Sequence, residues 1–221
     1  MKIAVIGSGF YGCAVAIILS KKNQVDLYEK ESNIFNGASS CNQFRYHSGY
    51  HYPRSQKTVN EIKKSKKDFM SFFTKNVFKK TINYYSVAKK SKVNFRKYSK
   101  FLKRNRLYFK ESDILDKVST IEKTVRVDEK ILDFFQTRKK LLNKIKKNKI
   151  NLYLNKEFKK NNLIDYDKVI ITTYSNNNNI LSSLGIKKIS TNKYQLVEKI
   201  LIKLPKEYER KSYVVIDGNF V

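Results

Sequence analysis

The chain has 221 residues, of which 41% are hydrophobic and 13% aromatic, a composition that excludes a disordered protein and allows a core of ordinary size. Its formal net charge is +28, from 47 Lys+Arg against 19 Asp+Glu, and charge alone would permit nucleic-acid or anionic-membrane binding. The lysines are scattered over polar faces of predicted helices, which favours a solvated surface over a nucleic-acid site and leaves steering of an anionic substrate as the other interpretation.

The N-terminal residues carry the pattern of a nucleotide-binding βαβ unit. In chain order they read as a strand, a glycine turn, a helix, a second strand and a terminal acid: Lys2–Ile6, 7–12, 13–19, Gln24–Tyr28 and Glu29. The turn has the sequence G-x-G-x-x-G, and this order of elements is the context that the dinucleotide-binding fingerprint requires. The sequence therefore predicts a nucleotide site at this turn.

Each residue type in the turn has a mechanical reason. Gly7 permits the tight turn after the strand, Gly9 lets the backbone approach a pyrophosphate, and Gly12 lets the helix pack closely on the sheet. The exposed N–H groups and the helix dipole then favour the diphosphate. Glu29 can accept hydrogen bonds from the hydroxyls of a ribose, and its charge disfavours a 2′-phosphate at that place.

A stretch of small residues, Gly37-Ala38-Ser39-Ser40, then interrupts the βαβ alternation. Such a loop can return to the cofactor and offer hydroxyl and N–H groups to its phosphates. Residues 42–55 follow and contain both histidines of the chain, together with three tyrosines and two arginines. His47 and His51 are four residues apart, but metal ligation at that spacing needs a helix, and the intervening glycine and the nearby proline argue against one. No metal site is predicted.

The rest of the chain alternates predicted helices and strands. Helices are predicted at 55–77, 93–103 and 131–147, and strands at 81–87, Ile121–Val127, 150–154, 167–173 and 212–216. In the third helix the residues predicted to face inward are Leu132, Phe135, Leu141, Leu142 and Ile145. The apolar run 167–173 is typical of a buried parallel strand, residues 176–179 are predicted to form a polar turn, and residues 194–204 are predicted to be β-structure.

Taken together, these motifs resemble the FAD-dependent oxidoreductases of the D-amino-acid-oxidase (DAO-like) superfamily. The glycine turn with its acid is similar to the adenosine half of their FAD site, and the GASS stretch resembles the segment that approaches the FAD phosphates. Asn42 with His47-Ser48-Gly49 resembles a segment that runs beside the flavin in the branch containing L-2-hydroxyglutarate oxidase. The resemblance implies FAD as cofactor, with contacts from Gly7, Ser8, Gly9, Phe10, Tyr11, Gly12, Glu29, Lys30, Ser39, Ser40, Asn42 and His47.

The fold class implied is α/β, with a Rossmann-like FAD-binding domain (a parallel sheet with helices) interleaved with a partial antiparallel substrate-domain sheet. The FAD-binding parts are expected at residues 1–78 and 126–184, and the substrate-domain parts at 79–125 and 185–221.

Two features depart from the resembled family. Where its members commonly have Ala-Gly after the late strand, this chain has Thr172-Thr173-Tyr174. The chain also stops at residues 214–221, in what looks like the middle of the substrate sheet, before the second glycine-rich segment that meets the flavin. The expectation is a truncated or split member, whose flavin site a second chain would complete.

The leading functional prediction is hydride transfer to FAD from a C–H beside an amine or hydroxyl. The resemblance implies a small amino acid or 2-hydroxy acid as substrate, which would be anionic. His47 is the first candidate for a base because histidine is the residue type best suited to proton transfer near neutrality. Tyr50, His51 and Tyr52 are candidates for lining the pocket, and Arg45 or Arg54 for pairing with a substrate carboxylate.

Three alternatives stay open at this stage. A nicotinamide-dependent dehydrogenase would explain the first 29 residues equally well and the next 26 poorly. The chain could instead be a non-catalytic nucleotide-binding remnant, or one half of a split flavoenzyme. Nucleic-acid binding would rest on charge alone and is not expected.

The cysteines and the apolar segments of the chain indicate in which cellular compartment it is expected. Cys13 and Cys41 are the only cysteines, and they have neither metal-ligand nor redox-pair spacing, so a reducing compartment is expected. No segment fits a signal peptide, and no apolar run reaches the roughly 18 residues that span a bilayer. The expected location is the cytoplasm, without a transmembrane segment.

Overall fold

The computed structural model describes residues 1–73, 75–115, 117–187, 198–200 and 202–217. The chain forms two compact units, each built from two separate segments. The first unit contains Met1–Asn42 and Phe134–Leu201, and the second contains Gln43–Asp133 and Ile202–Val221. The chain passes from one unit to the other after residues 42, 133 and 201, and the domain bounds at 78, 125 and 184 stay a prediction from the resemblance. The second helix belongs to the second unit, where its Val59 packs in the core.

The helices and strands are numbered in chain order. The helices are α1 Phe10–Leu19, α2 Gln56–Phe72, α3 Phe95–Arg104, α4 Phe134–Lys147 and α5 Asn177–Ser183. The strands are β1 Lys2–Ile6, β2 Gln24–Tyr28, β3 Arg45–Tyr46, β4 Phe78–Lys79, β5 Ile82–Ala88, β6 Phe109–Ser112, β7 Ile121–Val127, β8 Lys130–Leu132, β9 Asn151–Tyr153, β10 Lys168–Ile171 and β11 Lys211–Ile216.

The first unit is a parallel sheet in the order β10-β1-β2-β9, with α1 packed on β1 and β2 and against α4. In the register, Ile6 of β1 pairs with Tyr28 of β2 on one side and with Ile171 of β10 on the other. The carboxyl ends of these three strands therefore lie side by side, as expected where ligands bind at a sheet of this type. This alignment brings the residues after β1, β2 and β10 to one edge of the sheet.

The second unit contains two sheets. The larger has the order β11-β5-β7-β6, in which β5 and β6 pair with β7 antiparallel. β11 pairs with β5 parallel, because it joins from a distant segment and not through a hairpin. The predicted antiparallel sheet therefore has one parallel strand at its edge. The smaller sheet has the order β3-β8-β4. The core between sheet and helices contains Tyr50, Val59, Tyr85, Val87, Tyr98, Phe101, Leu102, Val125, Val127, Val214 and Ile216.

Local sequence signals predict most of these elements. β1, β2 and β7 have the predicted bounds, and the predicted strands at 81–87, 150–154 and 212–216 are present with ends shifted by at most one residue. The Thr58 N–H donates to Ser55 Oγ at 3.3 Å, so the serine before α2 caps the helix in the way that its residue type predicts.

The predicted helix 131–147 is wrong at its start. Residues 130–132 form β8, and the helix begins at Phe134. The Leu132 N–H donates to Phe44 O at 2.7 Å, so pairing with the β3 segment takes up the backbone that a helix would need. Leu141 and Ile145 are buried as predicted, whereas Phe135 is 72% exposed and its predicted inward position is wrong.

Three further expectations concern the C-terminal third. Residues 176–179 are predicted to form a turn, but residues 177–179 form the start of α5. The side chain of Asn177, the first residue of this helix, accepts a hydrogen bond at Oδ1 from the Thr173 N–H at 2.9 Å. β10 is parallel as predicted but only half-buried, because β1 is its one partner in the described sheet. Residues 194–197 and 201 lie outside the described residues, and the described residues 198–200 and 202–204 form no strand.

Candidate functional site

The glycine turn after β1 has the geometry that its sequence predicts. Gly7 has φ +93°, a backbone conformation that favours glycine. A β-carbon on Gly12 would lie 1.8 Å from the carbonyl oxygen of Gly7, so no other residue fits while α1 keeps this approach to the strand. A β-carbon on Gly9 would lie 3.2 Å from Ser39 Oγ. The close approach of α1 to β1 therefore depends on the missing side chain at Gly12, and the close approach of Ser39 to the turn is helped by the missing side chain at Gly9.

Glu29 follows β2 and lies beside this turn. Its Oε2 accepts hydrogen bonds from the Ser8 N–H at 2.9 Å and from Ser8 Oγ at 2.6 Å, and its Oε1 accepts one from the Glu31 N–H at 3.0 Å. Two carboxylate oxygens offer about four acceptor positions, so the fixed carboxylate keeps acceptor capacity for a ribose hydroxyl. Ser8 is fully buried and holds Glu29 at the turn.

The GASS loop returns to the N-terminus of α1. Ser39 Oγ accepts a hydrogen bond from the Phe10 N–H at 2.9 Å, and its own hydroxyl proton can be donated to a phosphate oxygen. Asn42 Nδ2 donates to Ser39 O at 3.1 Å and so supports this loop. Ser40 Oγ lies 2.9 Å from both Asn36 O and Gly37 O, and these contacts give it a role within its own turn.

The other predicted cofactor contacts in this unit differ in exposure. The Tyr11 side chain is 79% exposed, and Lys30 Nζ lies 3.9 Å from Glu31 Oε1 in an exposed pair. The Phe10 ring packs against Phe35 with ring centroids 5.8 Å apart. Phe10 therefore contributes its backbone N–H to the loop contact described above and its ring to packing.

Thr172, which follows β10, supports the turn in a way that sequence reasoning missed. Its Oγ1 lies 2.8 Å from the carbonyl oxygens of both Ile6 and Gly7. Because this chain has a threonine where the family commonly has alanine, its hydroxyl can hydrogen-bond the backbone of the glycine turn. The contact spans 165 residues, and only the pairing of β1 with β10 brings the two segments together, so the local sequence gives no signal for it.

The second unit contains a buried acid, Glu129, that sequence reasoning also missed. Its Oε2 accepts from Tyr85 OH at 2.6 Å and from Arg45 Nη1 at 3.2 Å, and its Oε1 accepts from the Ser48 N–H at 3.0 Å. Arg45 also bonds Ser212 Oγ. The acid lies in a two-residue turn between β7 and β8, where an exposed side chain is the ordinary expectation.

Burial and hydrogen bonding act in opposite directions on the pKa of Glu129. Burial by itself would raise the pKa, but interactions with His47, Tyr85 and the Ser48 N–H outweigh it and lower the pKa below the ordinary value. The same carboxylate, together with burial, raises the pKa of the Tyr85 hydroxyl well above its ordinary value. Glu129 is therefore a buried anion with Arg45 as its cation.

His47 and His51 lie beside this anion. His47 Nδ1 is 3.7 Å from Glu129 Oε1, and the His47 side chain is 36% exposed. The two imidazole rings are 6.0 Å apart between centroids, and both lie near Tyr52. Burial, with the charges of His47 and Arg45, lowers the pKa of His51. The segment turns here and is not helical, in agreement with the argument against a metal pair.

Two predicted site residues have structural roles in this placement. Tyr50 is 2% exposed and its OH donates to Tyr108 O at 2.7 Å, while burial raises the pKa of Tyr50 to about 12. Tyr50 thus packs in the core of the second unit, and its place in a pocket stays a prediction. Arg45, whose side chain is 5% exposed, pairs with Glu129, and its pairing with a substrate carboxylate likewise stays a prediction.

The residues of the first unit fit the adenosine diphosphate half of FAD. The glycine turn lets α1 pack closely on β1, Ser39 and the N-terminus of α1 offer donors, and Glu29 offers an acceptor. In the described part of the chain, no three His, Cys, Asp or Glu side chains cluster in a way that could hold a metal ion. None of the helices there has the length and apolar character needed to cross a bilayer.

Comparison with known proteins decides which class of nucleotide enzyme carries this turn. The family described as FAD dependent oxidoreductase (DAO) matches residues 2–133, more than half of the chain. The chain belongs to this family. Its cofactor is FAD. The match includes residues 30–55, which the alternative of a nicotinamide-dependent dehydrogenase explained poorly. The implied α/β class with a parallel, Rossmann-type sheet is confirmed.

Curated relatives match over the N-terminal motifs and are much longer proteins. The chain is 35% identical over 66 residues to the FAD-dependent monooxygenase kojA of Aspergillus flavus. This matched stretch covers 29% of this chain and 15% of that protein. It is 40% identical over 57 residues to the FAD-dependent monooxygenase FPY4 of Fusarium mangiferae, which covers 25% of this chain and 15% of that protein.

Solved structures share the fold at low sequence identity. L-proline dehydrogenase from P. horikoshii superposes with a TM-score of 0.61 at 19% identity, over 86% of this chain and 57% of that one. Glycine oxidase from Geobacillus kaustophilus superposes with a TM-score of 0.60 at 11% identity, over 83% of this chain and 58% of that one. The chain thus spans a little more than half the length of these two structures, and at such identity the likeness shows the fold alone.

Proposed function

We propose that this chain is an FAD-dependent oxidoreductase that oxidises a small amino acid or 2-hydroxy acid. The observation that carries the proposal is the fixed Glu29 carboxylate beside a glycine turn that admits no β-carbon, in a chain of the FAD-dependent oxidoreductase family. The substrate class is supported by the names of structural neighbours, which include a glycine oxidase, an L-proline dehydrogenase and NikD, an amino acid oxidase.

The residues of the first unit would bind the cofactor. The N–H groups after Gly9 and the positive end of the α1 dipole would hold the pyrophosphate, with the Ser39 hydroxyl as a further donor. Glu29 would accept hydrogen bonds from the adenosine ribose. Bound FAD supplies the hydride acceptor.

The residues of the second unit would handle the substrate proton and charge. His47 would take the proton that leaves the substrate amine or hydroxyl, since an imidazole can act as a general base and this ring is partly exposed. His51 and Tyr52 keep their proposed place beside it, supported by the ring contacts among the three. Arg54 has an exposed side chain, and we propose that its guanidinium meets a substrate carboxylate.

Visible absorption spectroscopy tests the cofactor assignment. The purified protein is incubated with FAD, desalted and scanned, and retained flavin bands are expected. Glu29→Gln should weaken FAD binding about tenfold, the effect of losing one charge-assisted hydrogen bond. Glu31→Gln, an exposed neighbour, is the matched control and should leave binding unchanged. A colourless protein that still binds ADP-ribose would instead favour a flavin site completed by a second chain, and preferential NAD binding would contradict the proposal.

A substrate panel tests the reaction class. The flavin-loaded protein is mixed without oxygen with D- and L-amino acids and with 2-hydroxy acids, and bleaching of the flavin absorbance reports hydride transfer. Bleaching by one of these classes is expected, and no bleaching by any would contradict the substrate proposal while leaving FAD binding intact.

We also propose a reducing cytoplasmic compartment, supported by the free thiols of Cys13 and Cys41.

A further inference from the structure

The two carboxylate oxygens of Glu129 accept different numbers of hydrogen bonds. Oε2 accepts two hydrogen bonds, from Tyr85 OH and Arg45 Nη1, whereas Oε1 accepts one, from the Ser48 N–H. A carboxylate oxygen has two acceptor positions, so Oε1 has one left. The polar atom facing it is His47 Nδ1, 3.7 Å away.

His47 Nδ1 has no other partner to define its protonation. The atom is buried and makes no hydrogen bond among the described residues, although the ring as a whole is partly exposed. A neutral imidazole carries its proton on one nitrogen only, and a neighbouring carboxylate favours the tautomer whose N–H points at it. The proton of a neutral His47 therefore belongs on Nδ1, and Nε2 is left as the basic atom.

We infer that Glu129 is a positioning residue that fixes the Nδ1–H tautomer of His47, so that Nε2 is the atom that accepts the substrate proton. This inference rests on the proposed role of His47 and adds which atom acts and what orients it. Glu129 itself is fixed by donors from β3, β5 and the segment after β3, so the orientation of His47 is tied to the core of the second unit. Arg45 balances its charge, which keeps the carboxylate ionised in the buried site.

Nitrogen NMR of the histidine rings tests this inference without substrate turnover. The chain has only two histidines, so a long-range ¹H–¹⁵N spectrum of histidine-labelled protein, recorded at a pH where both rings are neutral, contains two ring systems. His51→Asn removes one and assigns the other. For His47 a protonated Nδ1 and an unprotonated Nε2 are expected, and a protonated Nε2 with a bare Nδ1 would overturn the inference.

Glu129→Gln adds the causal test. Its carboxamide can either accept from or donate to Nδ1, so the single tautomer of His47 should give way to a mixture, and turnover on the substrate found by the panel should fall at least tenfold in kcat with little change in KM. An unchanged tautomer in folded variant protein would contradict the role of Glu129. If the variant does not fold, the spectrum of the wild-type chain still decides the tautomer. Failure of FAD binding would appear in the absorption spectrum and leave this result unaffected.

Discussion

Arg45 and Glu129 form a buried ion pair across 84 residues of sequence, with Nη1 3.2 Å from Oε2 and side chains 5% and 0% exposed. A buried pair of this kind is costly to break, because removing one partner leaves the other charge buried without compensation. Arg45, which the sequence suggested as a partner for a substrate carboxylate, is thus part of the buried interior of the second unit.

Arg45→Met should lower the free energy of unfolding by about 3 kcal/mol or more, because Glu129 loses its cation. Adding Glu129→Gln to this variant should restore part of the loss, since the unpaired charge is then gone. Urea unfolding of both single variants and the double variant measures the coupling. Arg96→Met, at an exposed position, is the control, and equal losses from the two arginine variants would contradict the structural role of Arg45.

The contribution of Glu129 to stability should depend on pH in one direction. Its pKa is lowered in the folded protein, so the unfolded chain binds more protons in the acid range and stability rises with pH there. The advantage of the wild type over Glu129→Gln should be full above the ordinary glutamate pKa of about 4.3 and should shrink as the pH falls through the lower folded value. Urea unfolding of both proteins from acid to neutral pH measures it, and an advantage that grows on acidification would show the sign to be wrong.

Gly12→Val should disrupt the turn, because a β-carbon there meets the Gly7 carbonyl oxygen at 1.8 Å. The expected loss is about 2–3 kcal/mol of stability, together with loss of FAD binding, as the helix moves away from the strand. Gly37→Ala is the matched control because no atom lies within 4 Å of its added carbon. Thermal unfolding and flavin absorbance compare the two, and a Gly12 variant that behaves like the control would contradict the close packing.

Ser39→Ala should weaken FAD binding more than Ser40→Ala. The first removes the acceptor of the Phe10 N–H and the hydroxyl proposed to meet a phosphate, and loss of such a helix-terminal acceptor costs about 1 kcal/mol. The second removes only contacts with Asn36 and Gly37 inside the loop. Titration with FAD gives both dissociation constants, and the reverse order would assign the phosphate contact to Ser40.

Tyr50→Phe should change stability and leave catalysis intact. It removes the donor to the Tyr108 carbonyl oxygen, and a lost buried hydrogen bond costs about 1–2 kcal/mol. Urea unfolding and steady-state turnover separate the two effects. Tyr11→Phe, at a ring that is 79% exposed, serves as the control for stability. A large fall in turnover of the folded Tyr50 variant would restore the catalytic role predicted from its position in the sequence.

Features that depend on neighbouring residues could be predicted from the amino-acid sequence. The glycine spacing of the turn, the acid after β2, the bounds of β1, β2 and β7, and the Ser55 cap of α2 all follow from backbone geometry within a few residues. A glycine with positive φ, a period-two apolar run or a serine before a helix has its effect locally. The family resemblance was visible for the same reason, because its motifs lie within the first 55 residues.

The burial of polar groups and the identity of their partners depend on the fold and could not be predicted from the sequence. Thr172 reaches the turn from 165 residues away, and Glu129 meets Arg45 from 84 residues away. A threonine after a strand and a glutamate in a turn look like surface residues until strand pairing encloses them. The cost of removing a charge from water depends on that enclosure and on the donors it supplies, and neither is a property of the residues next to it in sequence.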